Sequence, residues 1–323
     1  MKEFMYIVPE ESIDCVFEDV TSLRFVENQL RECFVSKQYQ EVLLPSLEYT
    51  DLYMSLDPNL KTSEIFQFIN HEGRSIAMRY DFTVPLARLY ATTQKENEGR
   101  YCYFGKVYRK VKRHKGRSSE IYQGGVELIN CPGIQGDIQC LNLMQQTIPM
   151  LGLDKVIVEV GYAPFFHRLI EIVGHPETLT KILKYRDISG MKQFVAILDI
   201  DVTMQQLLLA LPMSFGSLDE IKDKILATKD MVLIECLHYL IKINESMSST
   251  STIIFDLGMV PSMHYYTGIM IKGYASESVD CIVNGGRYDH LLERFDLPVG
   301  AVGFCYNISQ IIQSMQKGVQ NND

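Results

Sequence analysis

Four short stretches carry the side chains that could do chemistry. RYDFTVP at 79–85 sets Asp81 two residues before Thr83. QGGVE at 123–127 places Gln123 and Glu127 on either side of Gly124-Gly125. HYYTG at 264–268 brings Tyr265 and Tyr266 together, and GGRYD at 285–289 puts Tyr288 just after Gly285-Gly286. Ahead of the second stretch runs RKVKRHKGR at 109–117. Such a positive patch would bind a phosphate-bearing ligand or an acidic partner surface, or close over a neighbouring site. The paired glycines would let backbone approach a ligand closely.

Each feature also has a plain structural reading. Asp81 before Thr83 and Pro85 would cap a helix. Glu127 at a strand end would be a solvated carboxylate. Adjacent tyrosines on a strand point to opposite faces, so one of Tyr265 and Tyr266 belongs to the core. The glycine pairs would make a bulge and a turn. The basic run would be a solvated hairpin tip. Cys281 and Cys305 read as buried, inert thiols.

Composition narrows the field. A chain of 323 residues with 46% hydrophobic and 22% charged residues has enough apolar material for a full core. No apolar run is long enough to span a membrane. The N-terminus is acidic and lacks a signal-peptide core, so the expected compartment is the cytoplasm. None of the eight cysteines forms a C-x-x-C pair, which argues against a metal site and for free thiols in a reducing environment. The net charge of −9 weakens any case for broad nucleic-acid binding, which rests on Lys and Arg neutralising phosphates.

The elements that must position these residues follow from periodicity. Val16, Val20, Leu23, Val26, Leu30 and Cys33 recur every three or four residues, which predicts a helix over 16–36. Pro45 interrupts the next β-branched run and makes it an edge strand or a strand bend. EIFQFINHEGRSIAMRYD reads as a hairpin. TVPLARLYATT starts a helix with Thr83 as N-cap. Strands on both sides of the basic loop pair with each other, and a helix follows over about 136–150. Strand signals fade from about 164 to 245, where helical repeats take over, and strands return afterwards. The pattern implies an α+β fold, a mainly antiparallel sheet flanked by helices. Residues 1–163 and 246–323 would form the core and 164–245 a helical insertion.

The order of the motifs resembles the catalytic core of class II aminoacyl-tRNA synthetases of the histidyl type. VLLPSLEYTDLY is similar to motif 1, the dimer-forming segment, and MRYDFTVPLAR to the amino-acid-binding segment. The stretch from Tyr103 to Ile129 resembles motif 2, MHYYTG and GGRYDHLL the histidine-specific segments, and VGAVGFCYNI motif 3. The resemblance covers roughly 10–312, and six segments in family order make it specific.

Two functions share this core: histidyl-tRNA synthetase, and the regulatory subunit of short-form ATP phosphoribosyltransferase. The departures choose between them. Adenylate formation needs preorganised cations around the ATP α-phosphate. Val111 stands where motif 2 of the synthetase has a glutamate, and Ile121 where an aromatic stacks on adenine. Pro261 and Ser262 replace an arginine-glycine pair, and Gln310 replaces the motif 3 arginine. Each lost donor costs about 10²–10³ in rate, with no additivity between them. No anticodon-binding domain follows motif 3, so tRNA is not an expected ligand.

The amino-acid pocket, by the same resemblance, is kept. Asp81, Thr83 and Gln123 would receive the α-amino group. Arg109 would face the α-carboxylate, and Glu127 would accept a hydrogen bond from one imidazole nitrogen. Tyr266 and Tyr288 would bound the ring and address the other nitrogen. Gly125, Tyr265, Gly285 and Gly286 would line the pocket further. Tyr80 in place of the usual proline, and His264 in place of an aspartate, depart from the family. The resemblance thus implies a non-catalytic regulatory subunit with no cofactor and L-histidine as effector. It would dimerise through the motif 1 region and join the catalytic subunit in a hetero-octamer. Two alternatives stay open: a divergent enzyme that activates a histidine-like amino acid, and a scaffold with a vestigial pocket.

Overall fold

The computed structural model describes residues 5–320 except 10–11, 57–59, 94–96, 111–117, 154, 248–252, 264, 277 and 279. The first helix, α1 (Glu18–Ser36), buries Val26, Leu30 and Phe34, spaced four apart on one face. Each such side chain taken from water contributes about 1.5–3 kcal/mol. Glu27 is buried on the same helix and holds Arg24 and Arg31 at 2.5 and 2.6 Å. The helix ends where Gln38 turns left-handed, at φ 67°.

Pro45 marks a change of sheet. Before it, β1 (Gln40–Glu41) pairs parallel with the later strand β5 (Gly99–Tyr108). After it, β2 (Leu47–Tyr49) leads into α2 (Thr50–Leu56) and belongs to a second, three-stranded sheet. Its other members are the expected hairpin, β3 (Gln67–Ile69) and β4 (Ser75–Met78). The helix α3 (Thr83–Thr93) then leads into β5.

The main sheet gathers β5, β6 (Glu120–Ile129), β7 (Val156–Tyr162), β9 (Ile253–Asp256), β10 (Ile269–Ala275), β11 (Val283–Tyr288) and β12 (Ala301–Asn307). With β1 and β8 (Phe215–Gly216) at its edges it has nine strands among the described residues, in the order β1-β5-β6-β12-β11-β10-β7-β9-β8. The five central strands, from β5 through β10, pair antiparallel. The helix α4 (Gly133–Thr147) and the last helix, α11 (Ile308–Gln320), contact the central strand β12.

Between β7 and β9 the described residues form six α-helices: α5 (Ala163–Val173), α6 (Pro176–Lys184), α7 (Ile188–Val195), α8 (Val202–Ala210), α9 (Asp219–Ala227) and α10 (Met231–Ser246). Asp187, Asp201 and Asp230 cap α7, α8 and α10 by accepting backbone N–H groups, as short acceptor side chains do at orphaned helix starts. One apolar cluster runs from Val26 and Leu30 through the sheet to Leu237 and Leu240. Among the described residues no helix is long and apolar enough to cross a membrane.

Candidate functional site

Alternation along the central strands builds the site. Tyr103 of β5, Gln123 and Glu127 of β6, Gly303 and Cys305 of β12, and Asn284, Gly286 and Tyr288 of β11 share one face through the pairing register. Glycines at 303 and 286 keep the middle of that face hollow. A Cβ on Gly303 would collide with Glu127 Oε2, and one on Gly286 would lie 2.7 Å from the Tyr266 ring. The result is a cavity of about 200 Å³ over the sheet centre.

The seven residues expected to bind the ligand, Asp81, Thr83, Arg109, Gln123, Glu127, Tyr266 and Tyr288, all line this cavity. Tyr265, Gly285 and Gly286 line it too. Gly125 does not. It shares the face, but the Tyr103 hydroxyl stands 2.6 Å from where its Cβ would be. The expectation that one tyrosine of the pair belongs to the core holds for Tyr266, which is buried with Ala163, Met259 and Met270 while also lining the cavity. The reason differs: Tyr265 and Tyr266 precede β10, so strand alternation does not apply, and their rings meet edge to face at 5.4 Å.

Glu127 is the best-defined group. It is buried, Thr83 Oγ1 donates to one carboxylate oxygen at 2.8 Å, and Tyr288 Oη donates to the other at 2.5 Å. Burial pushes its carboxyl up to about 7 against the pull of both hydroxyls, and the nearby Asp81 adds to the rise. Burial, with Glu127 alongside, raises Tyr288 well above the usual phenol range, so that hydroxyl keeps its proton to donate. Glu127 is thus an oriented, half-poised acceptor rather than a solvated carboxylate.

The Tyr288 hydroxyl donates to Glu127, which leaves its oxygen lone pairs to accept from a ligand. The Thr83 hydroxyl also serves Glu127, and the N-cap role expected of it falls to Asp81, whose Oδ1 accepts the Val84 N–H at 2.9 Å. Arg109 is held from behind. Its Nε donates to the Tyr80 carbonyl at 3.0 Å, and its guanidinium lies 4.9 Å from the centre of the Tyr80 ring. The unusual Tyr80 therefore seats the pocket's cation.

Several lining residues carried no sequence signal: Phe82, Tyr103, Met263, Asn284 and Cys305. Phe82 stacks on Tyr103 at 4.1 Å, and the buried Arg79 guanidinium covers the Phe82 ring at the same distance. Arg79 also donates to the carbonyls of Leu44, Pro45 and Lys106, which fixes the approach to Asp81. Cys305, expected to be inert core, lines the cavity, although burial pushes its thiol up to about 12. The register could have found Tyr103 and Cys305, since both sit opposite Gly125.

The nucleotide side looks different. Ile121 packs against the apolar cluster of Phe82 and Leu86. Gln310 is buried in the first turn of α11, its N–H bonded to Asn307, away from the cavity lining. Ser262 lines the cavity. Val111, His264 and most of the basic run, 111–117, lie outside the described residues. Two buried carboxylates and one guanidinium converge in a small space. That set suits a ligand carrying an ammonium, a carboxylate and a further hydrogen-bond donor.

Comparison with known proteins gives the family. Residues 14–311 match the histidyl-tRNA synthetase family. The chain is 42% identical to an ATP phosphoribosyltransferase regulatory subunit of Lactococcus lactis subsp. lactis, over 98% of each chain. It is 29% identical to the like-named protein of Bacillus cereus (strain G9842), over 96% of this chain and 76% of that one. A solved structure from Bacillus halodurans C, described as an ATP phosphoribosyltransferase regulatory subunit/histidyl-tRNA synthetase, superposes with a TM-score of 0.88 at 26% identity, over 97% of this chain and 84% of the other. Histidyl-tRNA synthetase from Nostoc sp. PCC 7120 shares the fold, with a TM-score of 0.78 at 16% identity, over 97% and 76% of the two chains. With its synthetase-type sheet and near-full-length relatives, the chain belongs to the family of ATP phosphoribosyltransferase regulatory subunits.

Proposed function

We propose that this chain is the histidine-sensing, non-catalytic subunit of a cytoplasmic ATP phosphoribosyltransferase, which opens histidine biosynthesis. The observation that carries the reading is the convergence of Asp81, Arg109 and the braced Glu127 in one cavity of about 200 Å³. Pockets for drug-sized ligands run about 300–1,000 Å³. The space suits a single amino acid better than an aminoacyl-adenylate. Asp81 and Gln123 take the α-ammonium, Arg109 the α-carboxylate, and Glu127 an imidazole N–H, with the rings of Tyr265 and Tyr266 alongside.

The loss of ATP handling rests on Ile121, Pro261, Ser262 and Gln310, none of which offers a cation to a phosphate. Residues 1–163 and 246–323 act as the binding core, and 164–245 as an insertion. A self-dimer through the motif 1 region would cover Phe25, Leu43, Leu47 and Phe68, all exposed here. Such dimers join the catalytic subunit in a hetero-octamer. Histidine then inhibits by binding the inactive arrangement more tightly, with a coupling of about 1–3 kcal/mol.

Calorimetric titration tests the site, with L-histidine, histidinol and Mg-ATP as ligands. Saturable binding of L-histidine without ATP is expected. In the reconstituted complex, Glu127→Ala should assemble normally and lose histidine inhibition. Retained inhibition would count against this pocket, and histidine-dependent ATP–pyrophosphate exchange would restore the amino-acid-activating enzyme.

A further inference from the structure

Beside the cavity lies a second buried polar cluster that no ligand role explains. Arg287, between Gly286 and Tyr288 on β11, is almost fully buried. Its Nε donates to Asp137 of α4 at 2.6 Å and its Nη1 to Asp289 at 3.0 Å. Its Nη2 donates to the carbonyls of Cys131 and Gly133 at 3.2 and 2.9 Å. The second oxygen of Asp137 accepts from Tyr239 Oη of α10 at 2.7 Å, and the Tyr239 ring stacks on Tyr162 at 4.8 Å. Hydrogen bonds therefore run from the helical stretch through α4 into β11.

The same cluster grips the tyrosine turn. The Thr267 N–H donates to the Arg287 carbonyl, and Thr267 Oγ1 accepts the Asp289 N–H, both at 2.8 Å. Gly268 lets the turn lie flat against Arg287, since a Cβ there would come within 2.7 Å of the arginine side chain. Tyr265 and Tyr266 directly precede this grip. Tyr288, which braces Glu127, directly follows Arg287.

We propose that Arg287, Asp137 and Tyr239 form a clamp that positions the tyrosine turn and Tyr288 against the ligand, so that α10 sets the shape of the amino-acid pocket. None of the three lines the cavity. They are positioning residues that act through Thr267, Asp289 and Tyr288. The clamp deepens the histidine-sensor reading and rests on it for the ligand, but its effect on the turn stands apart from any ligand. A buried arginine–carboxylate pair with its remaining donors satisfied favours one geometry over near alternatives.

The test uses Tyr239→Phe, which keeps the ring and removes one hydroxyl, and Thr267→Val, which keeps the shape and removes the acceptor at the far end. Hydrogen–deuterium exchange of the full chain without ligand should quicken at residues 265–268 and 287–289 in both variants. Elsewhere it should keep the wild-type rates. Histidine affinity, read by calorimetry, should fall about two- to tenfold in each, the worth of one hydrogen bond. Unchanged exchange at the turn in Tyr239→Phe would overturn the clamp. So would a rise spread over the whole chain, which would mean a role in stability alone. A wild-type chain that binds no histidine would sink the sensor reading instead, while the exchange comparison would still decide the clamp.

Discussion

Glu127 and Asp137 are both carboxylates sunk beside the same sheet, ten residues apart, and both are pushed up by burial. Their partners separate them. Asp137 faces the Arg287 guanidinium, which pulls it back down, and it also accepts from Tyr239. Glu127 accepts from two hydroxyls, those of Thr83 and Tyr288, and sits at about 7, with Asp81 nearby. One carboxylate is spent on holding elements together. The other is fixed in place with no cation paired to it among the described residues, which leaves it to accept an N–H from a ligand. Burial alone therefore does not mark a binding group; the charge of the neighbours does.

The same chemical change at both positions should break the symmetry most strongly. Asp137→Asn leaves Arg287 buried with a weakened partner set and should cost about 3–5 kcal/mol, the usual penalty for breaking a buried pair. Urea unfolding at pH 7 would measure it. Glu127→Gln should cost well under half of that, because the amide still accepts from Thr83. Equal losses would mean that the two sites are held in the same way.

The pH dependence sharpens the contrast. The folded value of Glu127 stands near 7, above its ordinary 4.5. Its stabilising contribution is then complete below about pH 4.5 and fades as pH rises through 7. The span is about 3 kcal/mol at most. Unfolding of the ligand-free chain at pH 5 and pH 8 should show this loss, and Glu127→Gln should flatten it. A slope unchanged in Glu127→Gln would place the titration elsewhere.

The smallest expected effect concerns the space around Glu127. Gly303→Ala drives a methyl into the carboxylate oxygen, at a cost of about 1–3 kcal/mol in stability. Displacing Glu127 should also abolish L-histidine binding in calorimetry. Binding at wild-type affinity would mean that Glu127 does not touch the ligand.

Much of this was legible in the residues. The first helix, the hairpin around Asn70–Gly73 and the strands on either side of the basic loop follow from local periodicity and turn chemistry. The helix nevertheless starts at Glu18 rather than Val16, and it buries Val26, Leu30 and Phe34 while Val16 and Val20 stay exposed. The resemblance to the histidyl-type synthetase core, not local pattern, named the seven residues that line the cavity. Sequence could not assign their partners. Thr83 serves Glu127 across 44 residues and Tyr288 serves it across 161, and no local rule couples positions so far apart. Reading residues 265–268 as part of a strand failed for a related reason. The Thr267 bonds to Arg287 and Asp289, not β propensity, set that turn.

What the sequence determined by itself was the alternation that turns Gln123 and Glu127 to one face, and the small residues that leave a hollow above them. Tertiary structure decided which buried acid is neutralised. Arg287 turns its guanidinium toward α4 and away from the cavity lining, so Asp137 receives the charge and Glu127 does not. That choice depends on where β11 crosses α4 and β6, a long-range geometry that only packing of the whole sheet fixes.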